Sequence, residues 1–145
     1  MELMLRVGGR RMLAAWAMIT MCLMVGGCGG GADQIDELYA SDAGKVMDCV
    51  ETVQGAAGEP DGKRWEQIMA DPDAIDKSQR KGYTKYFFRT QSTEIEISGD
   101  TATFPVKVGD PATGDEVSTV TWTAQKVGED WKLKDTPLPA GLGGE

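Results

Sequence analysis

An α+β domain is the fold class this sequence predicts, and two features of its patterning predict it. Through the first half of the chain, apolar residues recur at spacings of three, four and seven, as on helices with one buried face. From residue 93 the period falls to two, and short turns rich in glycine and aspartate separate the runs, which describes consecutive antiparallel strands. A sheet with one apolar face must cover it, and amphipathic helices are the available cover.

The elements follow in order. Ile35, Leu38, Tyr39, Val46, Met47, Val50, Val53 and Ala57 form one apolar face, with Asp36, Glu37, Lys45, Asp48 and Glu51 on the other. Ser41, Asp42 and Gly44 mark a break and a fresh N-cap, so a short helix leads into a longer one. Residues 55–62, with Pro60 and Asp61, read as a loop. A second short helix is expected over 63–70 with Trp65, Ile68 and Met69 inward, stopped by Asp71-Pro72 because proline cannot continue the ladder. A third is expected over 73–85, capped by Asp73 and anchored by Ile75, Tyr83 and Phe87.

Strands are then expected over 93–98, 101–108, 117–127 and 131–134, turned at Gly99-Asp100, at 110–115 and at Gly128-Glu129-Asp130. Ile95 and Ile97 share a face, as do Ala102, Phe104, Val106 and Val108, then Val120, Trp122 and Ala124, then Trp131 and Leu133. Pro105 inside a strand requires an edge or a bulge. The predicted core gathers Val46, Val50, Val53, Trp65, Ile68, Phe104, Val106, Trp122 and Trp131. Residues 136–145, with two prolines and three glycines, read as a flexible tail.

Residues 1–27 have a different character. Arg6, Arg10 and Arg11 precede an apolar run of 14 residues, Met12 to Val25, and small residues follow. That is the order of a secretory signal peptide, and the run is short of the roughly 20 residues a spanning helix needs. Val25-Gly26-Gly27-Cys28 resembles the lipobox of bacterial lipoproteins, with valine in the usual leucine position. The resemblance implies cleavage between Gly27 and Cys28, a diacylglyceryl group on the Cys28 thiol, and acylation (palmitate among the chains) that holds the protein on the exported side of a membrane. Gly29 is not the aspartate associated with inner-membrane retention, which leans the expectation towards the outer membrane of a cell that has one. Residues 28–32, Cys28 and a glycine-rich tether, would keep the domain over residues 33–135 within roughly 10–12 Å of the bilayer.

Losing residues 1–27 removes three arginines and one glutamate and moves the formal net charge from −8 to −10. Such a domain is repelled by nucleic-acid phosphates, so no nucleic-acid partner is expected. Cys49 is then the lone thiol of the domain and reads as a small hydrophobe on a helix face.

The runs Glu94-Ile95-Glu96-Ile97-Ser98-Gly99-Asp100-Thr101-Ala102-Thr103 and Gly128-Glu129-Asp130-Trp131-Lys132-Leu133, after leading helices, resemble cystatin-like or nuclear-transport-factor-2-like domains, and small lipoproteins that carry one. The likeness covers roughly residues 43–135 and implies a curved antiparallel sheet wrapped around helices as an open cone. It departs at Gly58-Glu59-Pro60-Asp61-Gly62, where the family has Gly-Asp between its first helices.

The chain has no histidine and no asparagine, which excludes a Ser-His-Asp triad, a Cys-His pair and a histidine-bound metal. Asp71, Asp73 and Asp76 invite a calcium reading, but the central glycine and terminal glutamate of the calcium loop are missing. Enzymes of the resembled superfamily use a carboxylate inside the cone, yet Glu94, Glu96 and Glu116 alternate outward. No catalytic residue, cofactor or metal site is therefore expected. Tyr83, Tyr86, Phe87, Phe104, Trp122 and Trp131 either line a pocket for an apolar ligand or fill the core. The expected function is a non-enzymatic, membrane-anchored binding or scaffolding module of the cell envelope, with an envelope protein or a small apolar ligand as partner. A cone-carboxylate isomerase or hydrolase and a self-associating structural subunit are the alternatives.

Overall fold

Residues 30–142 are described by the computed structural model; residues 1–29, with the expected signal peptide and Gly27–Cys28 junction, and the last three residues lie outside the described residues. Helix α1 spans Gly30–Ala40 and α2 spans Asp42–Gly58. Ser41 separates them as the sequence suggests: its hydroxyl accepts the Gly44 N–H at 3.0 Å and caps α2. The corner is tight. A Cβ on Gly44 would overlap the Leu38 carbonyl, so glycine alone lets α1 fold back this closely.

Two expectations for these helices change. Ile35, Leu38 and Tyr39 are 56%, 38% and 41% exposed rather than buried, because α1 meets the domain chiefly through α2 and nothing described covers its far side. Helix α1 also begins at Gly30, inside the stretch read as tether. Helix α2 runs past Gly55, where a loop was expected. Burial of Ala56 offsets the cost of a helical glycine, about 1 kcal/mol.

Helix α3 spans Lys63–Ile68, shorter than the expected 63–70. Met69 leaves it to form a parallel bridge with Leu133, and the Ala70 N–H donates to the Leu133 carbonyl at 2.7 Å. Helix α4 spans Lys77–Tyr83 and is capped by Asp76, not Asp73. Gln79 lies three residues after Asp76 and completes a capping box, whereas the corresponding partner of Asp73 is another aspartate.

The strands are β1 Phe87–Arg89, β2 Glu96–Ser98, β3 Thr101–Gly109, β4 Glu116–Val127 and β5 Asp130–Asp135. They form one strongly curled antiparallel sheet, a half-barrel ordered β1-β3-β4-β5, with β2 also on β3. Strand β1 was not foreseen: Phe87, expected as a helix anchor, pairs with Gly109. Three residues are too few to display a period of two. The 93–98 run begins with a 3-10 turn at Ser92–Glu94; Ile95 packs on the core, while Ile97, paired with core-facing Ala102, stays 40% exposed at the sheet margin.

Pro105 is explained by the pairing. Strand β2 reaches β3 at 101–103 and β1 reaches it at 107–109, leaving β3 open between them on the side away from β4. Pro105 falls in that interval, where a missing N–H is tolerated.

Helix α2 lies in the concave face. Val46, Val50, Val53 and Ala56 join one buried cluster with Ala102, Phe104, Val106, Val108, Trp122, Ala124, Trp131 and Leu133, α2 approaching the sheet most closely at β1 and β5, and α3 adds Trp65 and Ile68. The predicted core is found whole. The C-terminal stretch, expected to be a loose tail, is tied down through Leu142. The Tyr83 hydroxyl donates to the Thr136 carbonyl at 2.5 Å, the Trp122 indole N–H donates to the Pro137 carbonyl at 2.9 Å, and Leu138 packs on the core. Buried aromatic donors need acceptors, and this segment supplies them.

Two outcomes test this arrangement. Replacing Tyr83→Phe lowers stability by about 1 kcal/mol in urea denaturation, where a frayed tail would give no change. Replacing Gly44→Ala lowers it by more than the helix-favouring substitution would raise it, because the Cβ meets backbone.

Candidate functional site

The interior offers little room. Trp65, Trp122, Phe104 and Met69 are fully buried, and the rings of Tyr83, Phe88, Trp122 and Trp65 pack at centroid separations of 5.0–6.3 Å. Of the aromatic residues that either line a pocket or fill the core, Tyr83, Phe104, Trp122 and Trp131 are buried core side chains. Tyr86 and Phe87 are half-buried; the Phe87 ring lies over Gly109, with the Arg89 guanidinium 4.6 Å from its centroid. Phe88, which the sequence groups with Tyr83, Tyr86 and Phe87 in one aromatic cluster, takes the buried place. Strand alternation sends it to the core face, and it becomes visible only once β1 is recognised.

An open cavity of about 640 Å³ lies instead on the outside, between the helices and β5. Helix α1 contributes Tyr39, α2 contributes Lys45, Asp48 and Cys49, and α3 contributes Gln67. The opposite wall is Asp130, Trp131 and Lys132 at the start of β5. Two ammonium groups and two carboxylates therefore surround an apolar floor.

Cys49 forms part of that floor. It is half-buried, and its thiol donates to the Trp131 carbonyl at 3.3 Å. Burial, with Asp48 and Asp130 nearby, pushes its pKa up to about 11. The thiol is protonated and unreactive at neutral pH, a small hydrophobe as its helix position suggests.

Trp131 joins the two walls. Lys126 Nζ lies 5.8 Å from its ring centroid and 3.3 Å from the Asp42 carboxylate at the start of α2. The Trp131 indole N–H faces Asp42 short of full hydrogen-bond geometry and leaves its nitrogen without a close partner. That N–H, then Lys126, hold the Asp42 carboxyl below its ordinary range.

Other carboxylates with displaced pKa values also move down. Ser78 and the Gln79 N–H lower Asp76, and the Thr119 hydroxyl and then Lys107 lower Glu116. A general base inside a cone needs the opposite shift, upward through burial. Asp71 and Asp76 spend oxygens on their own turns: Asp71 accepts the Asp73 N–H at 3.2 Å, and Asp76 caps α4. Among the described residues no group of three acidic, cysteine or histidine side chains is placed to hold a metal. No described helix is long and apolar enough to cross a membrane. Gly27 and Cys28 lie outside the described residues.

The chain matches no protein-family model, no curated protein and no solved structure.

The Cys49 environment yields a measurable consequence. A thiol whose pKa rises to about 11 on folding presents far less thiolate at pH 8, so alkylation by iodoacetamide is at least tenfold slower than in urea. Because folding raises this pKa, its stabilising effect is complete below about pH 9 and fades as pH climbs towards 11. Titration of Cys49→Ala beside the wild type in denaturant checks the sign.

Proposed function

We propose that this chain is a cell-envelope lipoprotein, lipidated on Cys28, whose domain is a cystatin-like roll acting as a non-enzymatic binding or scaffolding module. The observation that carries the reading is the filled interior. Large side chains occupy the concavity of the sheet, while the open cavity and the exposed apolar residues of α1 lie on the outer surface. A module built this way recognises its partner across a face and not inside a cone.

The chemistry of that face suits a segment of protein. Lys45 and Lys132 can meet carboxylates, Asp48 and Asp130 can meet cations, and Tyr39 and Cys49 offer apolar contact between them. Helix α1, starting two residues after Cys28, would bring this face close to the bilayer that the lipid engages. Support for the cystatin-like assignment is architectural: helices come first and lie inside a curled antiparallel sheet.

Intact mass of the protein from the membrane fraction, beside a Cys28→Ala variant, tests the anchor. The expected species begins at Cys28, carries acyl mass and disappears in the variant. An unmodified chain, or one cut elsewhere, overturns the lipoprotein reading.

A further inference from the structure

We propose that the open edge of β4 pairs with the same edge of a second copy of this chain, continuing the sheet across a two-fold axis. Strand β4 is longer than the partner on one of its sides. It pairs with β3 from Glu116 to Gln125, but β5 reaches it only from Thr123 to Val127. Among the described residues, no backbone group pairs with residues 116–122 on the β5 side.

The direction of the backbone groups follows from the register. Gly128 and Glu129 form a two-residue turn, so Val127 and Asp130 are a hydrogen-bonded pair, and Val127 turns its N–H and C=O towards β5. Backbone groups alternate along a strand. Thr121 and Thr119, an even number of residues away, therefore aim theirs at the same, open side. Pro105 agrees: it pairs with Thr121 and has no N–H to give, as expected of a pair whose backbone groups point outward from β3 and β4.

Such an edge accepts an extended strand. The outer edge of β5 is already covered, through the Met69 bridge and the Ala70 N–H. Among the described residues the β4 edge has no backbone partner, and no lysine or proline, the residues that commonly block edges, stands in 116–122.

Charge favours a second copy as the occupant. The chain is strongly acidic, yet residues 117–125 carry no charge, so two copies can meet here without facing like charges. The flanking acid, Glu116, is held by Lys107 at 3.5 Å and by the Thr119 hydroxyl at 2.7 Å. The segment is also self-complementary. An antiparallel pairing centred on Thr119 sets Thr119 against its own copy and Thr121 against Val117, all β-branched residues with exposed side chains. The bulge at Val117 keeps the paired segment short, so association is weak and depends on concentration.

Cross-linking of the full chain tests the proposal. Directly opposed residues in a hydrogen-bonded antiparallel pair have Cα atoms about 5.5 Å apart, within disulfide reach. A Thr119→Cys variant under mild oxidation is expected to form a covalent dimer at least tenfold faster than Glu94→Cys, an exposed position away from the edge. Adding Val117→Lys and Thr121→Lys, both on exposed positions and opposed in this register, returns the rate to the Glu94→Cys level. Equal rates at the two cysteine positions, a rate insensitive to the lysines, or an adduct whose mass shows a different protein on the edge overturns the proposal. The readout holds whether or not Cys28 carries lipid, so its failure is separable from failure of the lipoprotein reading.

Discussion

Helix α2 seated in the concave face of the sheet is the contact on which the rest of the structure depends. Its buried residues recur one turn apart, so Val46, Val50 and Val53 form a ridge that the curled sheet receives, with β1 and β5 the strands closest to the helix. The sheet could not close on itself with so few strands, and its apolar face would otherwise meet water. Helices α3 and α4 then have only the margins of this contact to fill, which is why both are short. Their ends are set by what they must reach: Met69 turns out to bridge Leu133, and Tyr83 stops where its hydroxyl meets Thr136.

That arrangement decides how the interior is filled. A roll with several wide strands and small interior residues leaves a cavity; this one places Phe104 and Trp122 directly opposite each other on neighbouring strands, with Tyr83 and Phe88 against Trp122. What remains is surface, and the surface is not uniform. Near α1, α2 and β5 it is a charged groove with an apolar floor, while on the far stretch of β4 it is neutral, threonine-rich and open along its backbone. One presents side chains and the other main chain, and the two lie on different parts of the surface.

Electrostatics also follows from the same seat. Asp42 at the first turn of α2 lies at the positive end of the helix and beside Lys126 of β4, so the helix start is held to the β4–β5 hairpin by charge as well as by Trp131. At the groove burial, and after it the carboxylates of Asp48 and Asp130, keep Cys49 a thiol beside the Trp131 carbonyl.

The sequence by itself determined the α+β order, the long helix, the three hairpin-linked strands and every residue predicted for the core, because periodicity records which side of an element is buried. It also carried the whole case for the lipid anchor, since that case rests on residues 1–28. Tertiary structure decided the rest. Strand β1 exists because β3 offers an edge at 107–109, not because Phe87–Arg89 shows a strand pattern. The apolar stripe of α1 stays exposed because periodicity reports a face and cannot supply its partner. Residues 136–142 are ordered because Tyr83 and Trp122 need carbonyls, a requirement made elsewhere in the chain. The groove and the open edge were illegible for the same reason: each is a gap between elements, and a gap has no residue pattern of its own.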